Sequence, residues 1–258
     1  MRTAFLIAPA LGVPPGYYQP LQAALRDLGT DCDFVALPEL APRWKLMFNP
    51  CSPGLESFMD AMAVAARGLR SRGTGRIILV GHSVGGQMGM AAAARWPELF
   101  DGSALVACGT PYWRAWPAAR QRSIRSGLVM IDWVSRLLPW YPGRLLGFGG
   151  NQPRRLMRDW VGMALTGSYR HLAIGERCEQ AMRRLHLPVL AINIEGDELA
   201  PISATDFLLA KLPQVTAQRA NVDAAGLAGV TGSKRHTAWV RQPLCVVPTI
   251  GQWVETLK

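Results

Sequence analysis

The residues with the clearest chemical signature form the run Gly81-His82-Ser83-Val84-Gly85, in which two glycines bracket a serine. An apolar stretch, 76–80, precedes this run, and a segment rich in methionine and alanine follows it. Five such residues alone would also fit an ordinary glycine-rich turn. The flanking strand and helix favour a nucleophile elbow, a strained turn that lifts the serine hydroxyl above the edge of a sheet. We therefore predict that Ser83 is a nucleophile and that Gly81 and Gly85 lie where a Cβ would not fit.

A serine hydroxyl attacks a carbonyl only when a histidine accepts its proton and a carboxylate orients that histidine. The chain has four histidines. His82 adjoins the serine, and because neighbouring side chains diverge there, we expect it to pack nearby. His171 and His186 lie within or at the edge of an insertion described below. His236, in a predicted loop between the last strand and the final helix, has the chain position of the base in a Ser…Asp…His order.

The carboxylate that orients the base should follow the apolar strand 189–194. Three acids come directly after it, Glu195, Asp197 and Glu198. We predict Asp197 as the orienting acid, with Glu198 and Glu195 as the alternatives. The sequence thus predicts the set Ser83, Asp197 and His236.

An acyl-transfer site also needs backbone N–H groups that stabilise an oxyanion. One donor is expected from Val84, the first residue of the helix after the serine. The second should come from the loop Pro9-Ala10-Leu11-Gly12 after the first strand. Proline has no N–H, so the second donor is predicted to be Ala10 or Leu11.

The elements that must position these residues alternate between apolar strands and amphipathic helices. A long loop, 38–53, interrupts the alternation early in the chain, and Ser52-Pro53 is predicted to cap the helix after it. Such alternation predicts a mostly parallel sheet of about six strands with helices on both faces. The predicted strands are 3–8, 33–37, 76–80, 103–107, 189–194 and 216–220, and the predicted helices are 18–28, 54–72, 84–96, 203–212 and 247–257.

Residues 109–187 interrupt the alternation of strands and helices, and their pattern predicts several short amphipathic helices. We predict a core domain made of residues 1–108 and 188–258 and a helical cap made of this insertion, placed over the carboxyl ends of the strands. The insertion also carries most of the charge: between Thr110 and Leu187 there are thirteen arginines and four acids, so it holds +9 of the net charge of +10.

Five tryptophans of the insertion are candidates for lining an apolar slot that binds an acyl chain. They are Trp113, Trp116, Trp133, Trp140 and Trp160. Arginines at the rim would then hold an anionic head, as in an acyl-CoA or acyl-carrier-protein thioester. The alternatives are a scaffold whose tryptophans only pack on the core, attachment to an anionic membrane surface, and nucleic-acid binding, for which no recognised motif is present.

The bulk composition limits the class of protein. The chain of 258 residues is 49% hydrophobic and 18% charged, which is typical of a globular domain. No apolar stretch approaches the ~18 residues of a membrane span. Five scattered cysteines without a C-x-x-C motif predict neither a disulfide framework nor a zinc site. We therefore expect a cytoplasmic protein without metal or organic cofactor; the oligomeric state is not predicted.

Together, these residues resemble the α/β-hydrolase superfamily. More narrowly, the chain resembles the serine-aminopeptidase-like branch of predicted bacterial α/β hydrolases, over nearly its whole length. The narrower resemblance rests on 8–14 (APALGVP) followed by Tyr17-Tyr18, on 81–87 (GHSVGGQ) and on 112–117 (YWRAWP). The resemblance implies Ser83 as nucleophile, Asp197 as acid, His236 as base, the oxyanion donors named above and a cap. The usual His-Gly after the first strand is replaced here by Ala8-Pro9.

The predicted activity is that of a serine hydrolase that cleaves a carboxylic ester or thioester through an acyl-enzyme. An acyltransferase or cyclising enzyme would use the same residues with a different acceptor, and a C–C hydrolase or lyase would use them on a different bond. A non-catalytic binding protein with this fold is the alternative from another class.

Overall fold

A single six-stranded parallel sheet organises the chain. The computed structural model describes residues 2–35, 52–170, 172, 175–223, 227 and 229–257, with side chains throughout except at 175 and 176. The sheet strands are β1 (Thr3–Ala8), β2 (Asp31–Phe34), β3 (Arg76–His82), β4 (Gly102–Val106), β7 (Pro188–Ile194) and β8 (Thr216–Val222). Their order in the sheet is β2-β1-β3-β4-β7-β8, and every neighbouring pair is parallel. The predicted α/β class and the predicted sheet are confirmed.

Helices cover both faces of this sheet. The helices of the core are α1 (Gln19–Arg26), α2 (Leu55–Ser71), α3 (Val84–Arg95), α8 (Ile202–Leu209), α9 (Arg235–Ala238) and α10 (Val247–Thr256). Alternation along β1 shows the two layers: Leu6 packs in the hydrophobic cluster with α2 and α3, whereas Ile7 packs with α1 and α10. Apolar side chains on both faces explain why the strands read as continuous hydrophobic runs.

The insertion between β4 and β7 has its own small framework. It contains helices α4 (Ala118–Leu137), α5 (Gly143–Leu146), α6 (Arg154–Thr166) and α7 (Gly175–Arg184) and an antiparallel pair, β5 (Trp140–Pro142) with β6 (Asn151–Pro153). The prediction of short helices alone was wrong here, because α4 has 20 residues and the antiparallel pair is also present.

Several predicted boundaries also differ from the structure. Strand β2 begins two residues earlier, because Asp31 already pairs with Ala4. Helix α2 begins at Leu55 with Gly54 as its N-cap residue, so Ser52 does not cap it as predicted. His236 lies in the short helix α9 rather than in a loop. β2 also ends at Phe34, so Val35 is not part of the strand 33–37 as predicted. Residues 36 and 37 of that predicted strand and nearly all of the loop 38–53 lie outside the described residues.

Because all six strands are parallel, their carboxyl ends lie at one edge of the sheet. The loops after β1, β3 and β7 and helix α9, which follows β8, therefore converge there. These are the segments that contain the predicted site residues. In the ranges described above, no helix is both long enough and apolar enough to cross a membrane.

Candidate active site

Ser83 sits at a strained turn between β3 and α3. Its backbone has φ 53° and ψ −121°, a conformation that few side chains adopt. A Cβ on Gly85 would lie 2.1 Å from the carbonyl oxygen of Ala8, and a Cβ on Gly81 would lie 2.3 Å from Cα of Gly86. The predicted crowding at Gly81 and Gly85 is confirmed, and it explains how the turn is held in a conformation that costs free energy.

Asp197 and His236 form a buried hydrogen-bonded pair. The Nδ1–H of His236 donates to Oδ2 of Asp197 at 2.7 Å, and the side chains are 8% and 0% exposed. The other carboxylate oxygen, Oδ1, accepts the backbone N–H groups of Leu199 and Ala200 at 2.8 and 3.2 Å. The carboxylate is therefore fixed by three donors. This arrangement leaves Nε2 of His236 as the nitrogen that can accept a proton.

The alternative acids and histidines take other positions. Glu198 forms an ion pair with Arg120, with 3.3 Å between their charged atoms, and Glu195 is exposed. His186 lies at the opposite end of β7, beside Pro188. His171 lies outside the described residues.

His82 packs near Ser83, as predicted; it is buried, and hydrogen bonds join it to the site. Its Nε2–H donates to the backbone carbonyl of His236 at 2.8 Å, so its Nδ1 accepts the hydroxyl of Tyr18 at 2.7 Å. Burial and the nearby His236 lower the pKa of His82 well below its ordinary value. The ring is therefore neutral and holds its neighbours in place rather than taking up a proton.

The same network distinguishes the two predicted oxyanion donors. The N–H of Ala10 donates to the hydroxyl of Tyr18 at 2.7 Å in a buried environment. Within the described part of the chain, no acceptor is found for the N–H of Leu11 or of Val84. Of the two loop residues, Leu11 is thus the one whose N–H can bind an oxyanion together with Val84.

Backbone contacts bring the insertion onto this oxyanion loop. Gly12 has φ +74°, and a Cβ there would lie 2.4 Å from the backbone of Gly149. Gly149 and Gly150 also have positive φ values, 69° and 65°. The close approach of two loops therefore needs glycine on both sides. The sequence pattern did not predict this contact, since the two loops lie about 140 positions apart.

Ser83, Leu11, Val84 and His236 line one cavity of about 490 Å³. Its other walls are largely apolar and come from α4, from the loop after α5 and from α6. They include Ile124, Leu128, Ile131, Phe148 and Trp160. Polar side chains, among them Arg120, Glu198 and Lys234, line another part. Among the described contacts, no hydrogen bond joins the hydroxyl of Ser83 to His236; hydrogen bonds between catalytic groups are often long or poorly aligned until a substrate binds.

Two of the five predicted tryptophans line this cavity, Trp116 and Trp160. The indole N–H of Trp116 donates to the carbonyl of Glu198 at 2.9 Å, and Trp160 packs against Phe148. The other three are not among the residues that line it. The N–H of Trp113 donates to the carbonyl of Leu165, Trp133 is exposed on α4, and Trp140 lies in β5.

Sequence reasoning missed Tyr18 as a part of the site. The only signal was the Tyr17-Tyr18 pair that contributed to the family resemblance. Among the described residues, no group of three or more His, Cys, Asp or Glu side chains is arranged to hold a metal ion.

Comparison with solved structures assigns the fold class: the chain has the α/β-hydrolase fold. One similar structure comes from work on LipS and LipT, two metagenome-derived lipolytic enzymes; it is 15% identical, with a TM-score of 0.64 over 98% of this chain and 94% of that one. The monoacylglycerol lipase of Paleococcus ferrophilus is 14% identical, with a TM-score of 0.60 over 99% and 95%. The meta-cleavage product hydrolase of Pseudomonas fluorescens is 15% identical, with a TM-score of 0.56 over 100% and 92%. No protein-family model and no curated protein matches the sequence.

Proposed function

We propose that this protein is a serine hydrolase that cleaves a carboxylic ester or thioester with an apolar acyl group. The observation that carries the proposal is the strained Ser83 in the same cavity as His236, whose ring is held by Asp197 at 2.7 Å. A protein that only binds a ligand has no physical need for a serine at φ 53° beside such a pair. The lipolytic neighbours of the fold agree with this chemistry.

In the proposed acylation step, the hydroxyl oxygen of Ser83 attacks the acyl carbonyl while Nε2 of His236 takes its proton. Asp197 stabilises the imidazolium that forms. The negative charge that develops on the carbonyl oxygen is met by the N–H groups of Leu11 and Val84. The tetrahedral adduct then collapses, and His236 gives its proton to the departing alkoxide or thiolate, which leaves an ester on Ser83.

Deacylation repeats these roles with water. His236 removes a proton from the water as it attacks the acyl carbonyl, and returns it to the oxygen of Ser83 as the carboxylic acid leaves. If an alcohol or amine enters in place of water, the product is a new ester or amide. The acyltransferase and cyclising alternatives differ from hydrolysis only at this step.

The cavity supports an acyl chain as the group that is recognised. Its aliphatic wall on α4 and the rings of Phe148 and Trp160 offer no charged partner to the chain. Arg120 and Lys234 line the same cavity, so a leaving group with negative charge would find cations there. An acyl-CoA or acyl-carrier-protein thioester fits this pattern, as does a simple ester with a polar head.

Time-resolved intact-mass measurement tests the proposal. The protein is mixed with p-nitrophenyl esters and acyl thioesters of increasing chain length. We expect a transient mass increase equal to the acyl group, absent from Ser83→Ala, and a loss of turnover of at least about 10³-fold in Ser83→Ala and His236→Ala. Ser233→Ala is the matched control, because Ser233 is a serine of the same cavity that takes no part in the proposed chemistry; it should keep the adduct and the turnover.

Two outcomes would contradict the proposal. An adduct that persists in Ser83→Ala would place the nucleophile elsewhere. No adduct and no turnover across the panel, together with no labelling of Ser83 by a fluorophosphonate, would favour a non-catalytic binding protein.

A further inference from the structure

Large apolar side chains are exposed in one short stretch of the insertion. Of the twelve exposed large hydrophobic residues in the described ranges, six lie between positions 130 and 146. We call them the Leu137 surface; its members are Met130, Trp133, Leu137, Leu138, Leu145 and Leu146. Leu137 is 75% exposed and Leu145 is 85% exposed. Exposed apolar residues that are grouped in this way mark an interaction site more often than scattered ones do.

Helix α4 separates this surface from the candidate active site. Met130, Trp133 and Leu137 follow one another at helical spacing and share one exposed face. Leu128 and Ile131, on another face, line the cavity that contains Ser83. The helix is therefore apolar on two sides, and the cavity accounts for only one of them.

Arginines outnumber acids in the stretch of chain that carries the Leu137 surface. Residues 118–154 contain six arginines and one acid, Asp132. One of the six, Arg120, lines the cavity instead and pairs with Glu198. Asp132 is itself paired with Arg136 at 2.8 Å. Arg122, on α4, and Arg144, next to Leu145, are exposed. The surface thus combines leucines and a tryptophan with cations and almost no negative charge.

We propose that the Leu137 surface binds the interface of an anionic lipid bilayer. Leucine side chains would enter the boundary between head groups and acyl chains, where a tryptophan such as Trp133 is also favourable. The arginines would contact lipid phosphates, each adding to the attraction of an anionic leaflet. Residues 147–149, which directly follow Leu145 and Leu146, line the cavity, so the bound surface would lie beside the candidate active site.

The charges favour a bilayer over two other occupants. A second copy of the chain would place two surfaces with more arginines than acids against each other in a symmetric dimer. A nucleic acid would meet the arginines but would leave several leucines exposed in a polar interface. An anionic bilayer satisfies both the apolar and the cationic groups.

Vesicle flotation with the full-length Ser83→Ala variant tests the proposal without turnover. We expect binding to phosphatidylcholine vesicles that contain phosphatidylserine, much weaker binding to phosphatidylcholine alone, and loss of binding at high salt. In this background, the double substitution Leu137→Ser/Leu145→Ser should weaken binding at least about tenfold. Leu244→Ser is the matched control, because Leu244 is 76% exposed outside the insertion, and it should bind as the parent does.

The proposal would be overturned by no binding to anionic vesicles, or by binding that the double substitution leaves unchanged. A dimer in solution that the double substitution dissociates, or binding of RNA in place of vesicles, would assign the surface to another occupant. Circular dichroism confirms that the variants are folded. In the active protein, Leu137→Ser/Leu145→Ser should leave the hydrolysis of a short water-soluble ester unchanged. Ester hydrolysis thus tests the proposed function, and vesicle flotation tests membrane binding, so that a failure of one is distinguished from a failure of the other.

Discussion

Tyr18 and His82 connect the two halves of the candidate active site. The hydroxyl of Tyr18 accepts the N–H of Ala10 in the predicted oxyanion loop and donates to His82, and His82 donates to the backbone of His236. The indole N–H of Trp239 donates to the same carbonyl at 3.0 Å. All of these groups are buried, so each donor that lost its partner would cost free energy. We infer that Tyr18 is a positioning residue that fixes the predicted oxyanion loop relative to the predicted base, His236.

Replacing Tyr18 with phenylalanine tests this role, because it removes one hydroxyl and keeps the ring that packs on Phe34 and His82. The oxyanion loop would lose its anchor, so transition-state stabilisation should fall more than substrate binding. We expect kcat on a p-nitrophenyl ester to fall about tenfold while KM changes less than about twofold. Steady-state kinetics over a range of chain lengths measures this split.

Tyr17→Phe is the matched control, since Tyr17 is the adjacent tyrosine. Its ring packs under Arg241 and edge-on against Tyr18, and its hydroxyl takes no part in the hydrogen bonds described above. Its kinetics should match those of the parent. An unchanged kcat in Tyr18→Phe, or a rise in KM alone, would contradict the positioning role.

At the scale of elements, one buried carboxylate ties the insertion to the core. Asp159 of α6 accepts the backbone N–H of Leu55 at the start of α2, at 3.1 Å. A Cβ on Gly54 would lie 2.5 Å from the same carboxylate oxygen, which explains the glycine at the N-cap. Burial raises the pKa of Asp159 to about 6, although the N–H of Leu55 opposes the shift. The contact is thus made by a carboxylate that is costly to ionise.

The raised pKa predicts how Asp159 makes stability depend on pH. The pKa of Asp159 is near 4 in the unfolded chain and about 6 in the folded protein, so the folded protein binds the proton more tightly. The stabilisation that this proton gives to the folded state is therefore lost as pH rises from about 4 through about 6. Asp159→Asn keeps an oxygen that accepts the N–H of Leu55 and removes the titration. Relative to this variant, we expect the wild type to lose up to about 3 kcal/mol of its free energy of unfolding between pH 4 and pH 7.

Urea unfolding of both proteins at several pH values measures the difference. Asp132→Asn is the control: Asp132 is a carboxylate of the neighbouring helix α4, and its replacement should leave the pH dependence of the wild type in place. Parallel pH profiles for the wild type and Asp159→Asn would contradict the prediction.

The sequence predicts the elements of this fold better than it predicts the contacts between them. Local signals such as the apolar run of β3 and the glycines around Ser83 depend on residues close in sequence, and they predicted the elbow. The position of Asp197 after β7 followed from the same alternation. The anchoring of Ala10 by Tyr18, and the contact of Gly12 with Gly149, depend on tertiary packing. A pattern of residue types carries no signal for such pairs, and it likewise did not separate the tryptophans that line the cavity from those that do not.

At the scale of the whole molecule, charge is distributed unevenly. The insertion holds +9 of the net charge of +10, so the remaining 179 residues are close to neutral. Arg120 of the insertion and Lys234 of the core line the cavity of the candidate active site together with Glu198, which pairs with Arg120, so these three side chains carry one net positive charge. Net positive charge at a cleft raises the local concentration of anionic ligands, and salt weakens this effect. A substrate with an anionic head should therefore respond to salt in a way that a neutral substrate does not.

Comparing an acyl-CoA thioester with a neutral ester of the same acyl chain tests this expectation. As sodium chloride rises from about 10 mM to about 0.5 M, the Debye length falls from about 30 Å to a few Å, and kcat/KM for the thioester should fall at least about fivefold. The kcat/KM for the neutral ester should change less than about twofold.

Arg120→Gln should reduce the salt dependence for the thioester, whereas Arg219→Gln should leave it intact. Arg219 is the matched control because it is also 47% exposed and paired with an acid, Asp206, but does not line the cavity. Equal salt dependence for both substrates would show that the cations of the cavity do not recognise the leaving group.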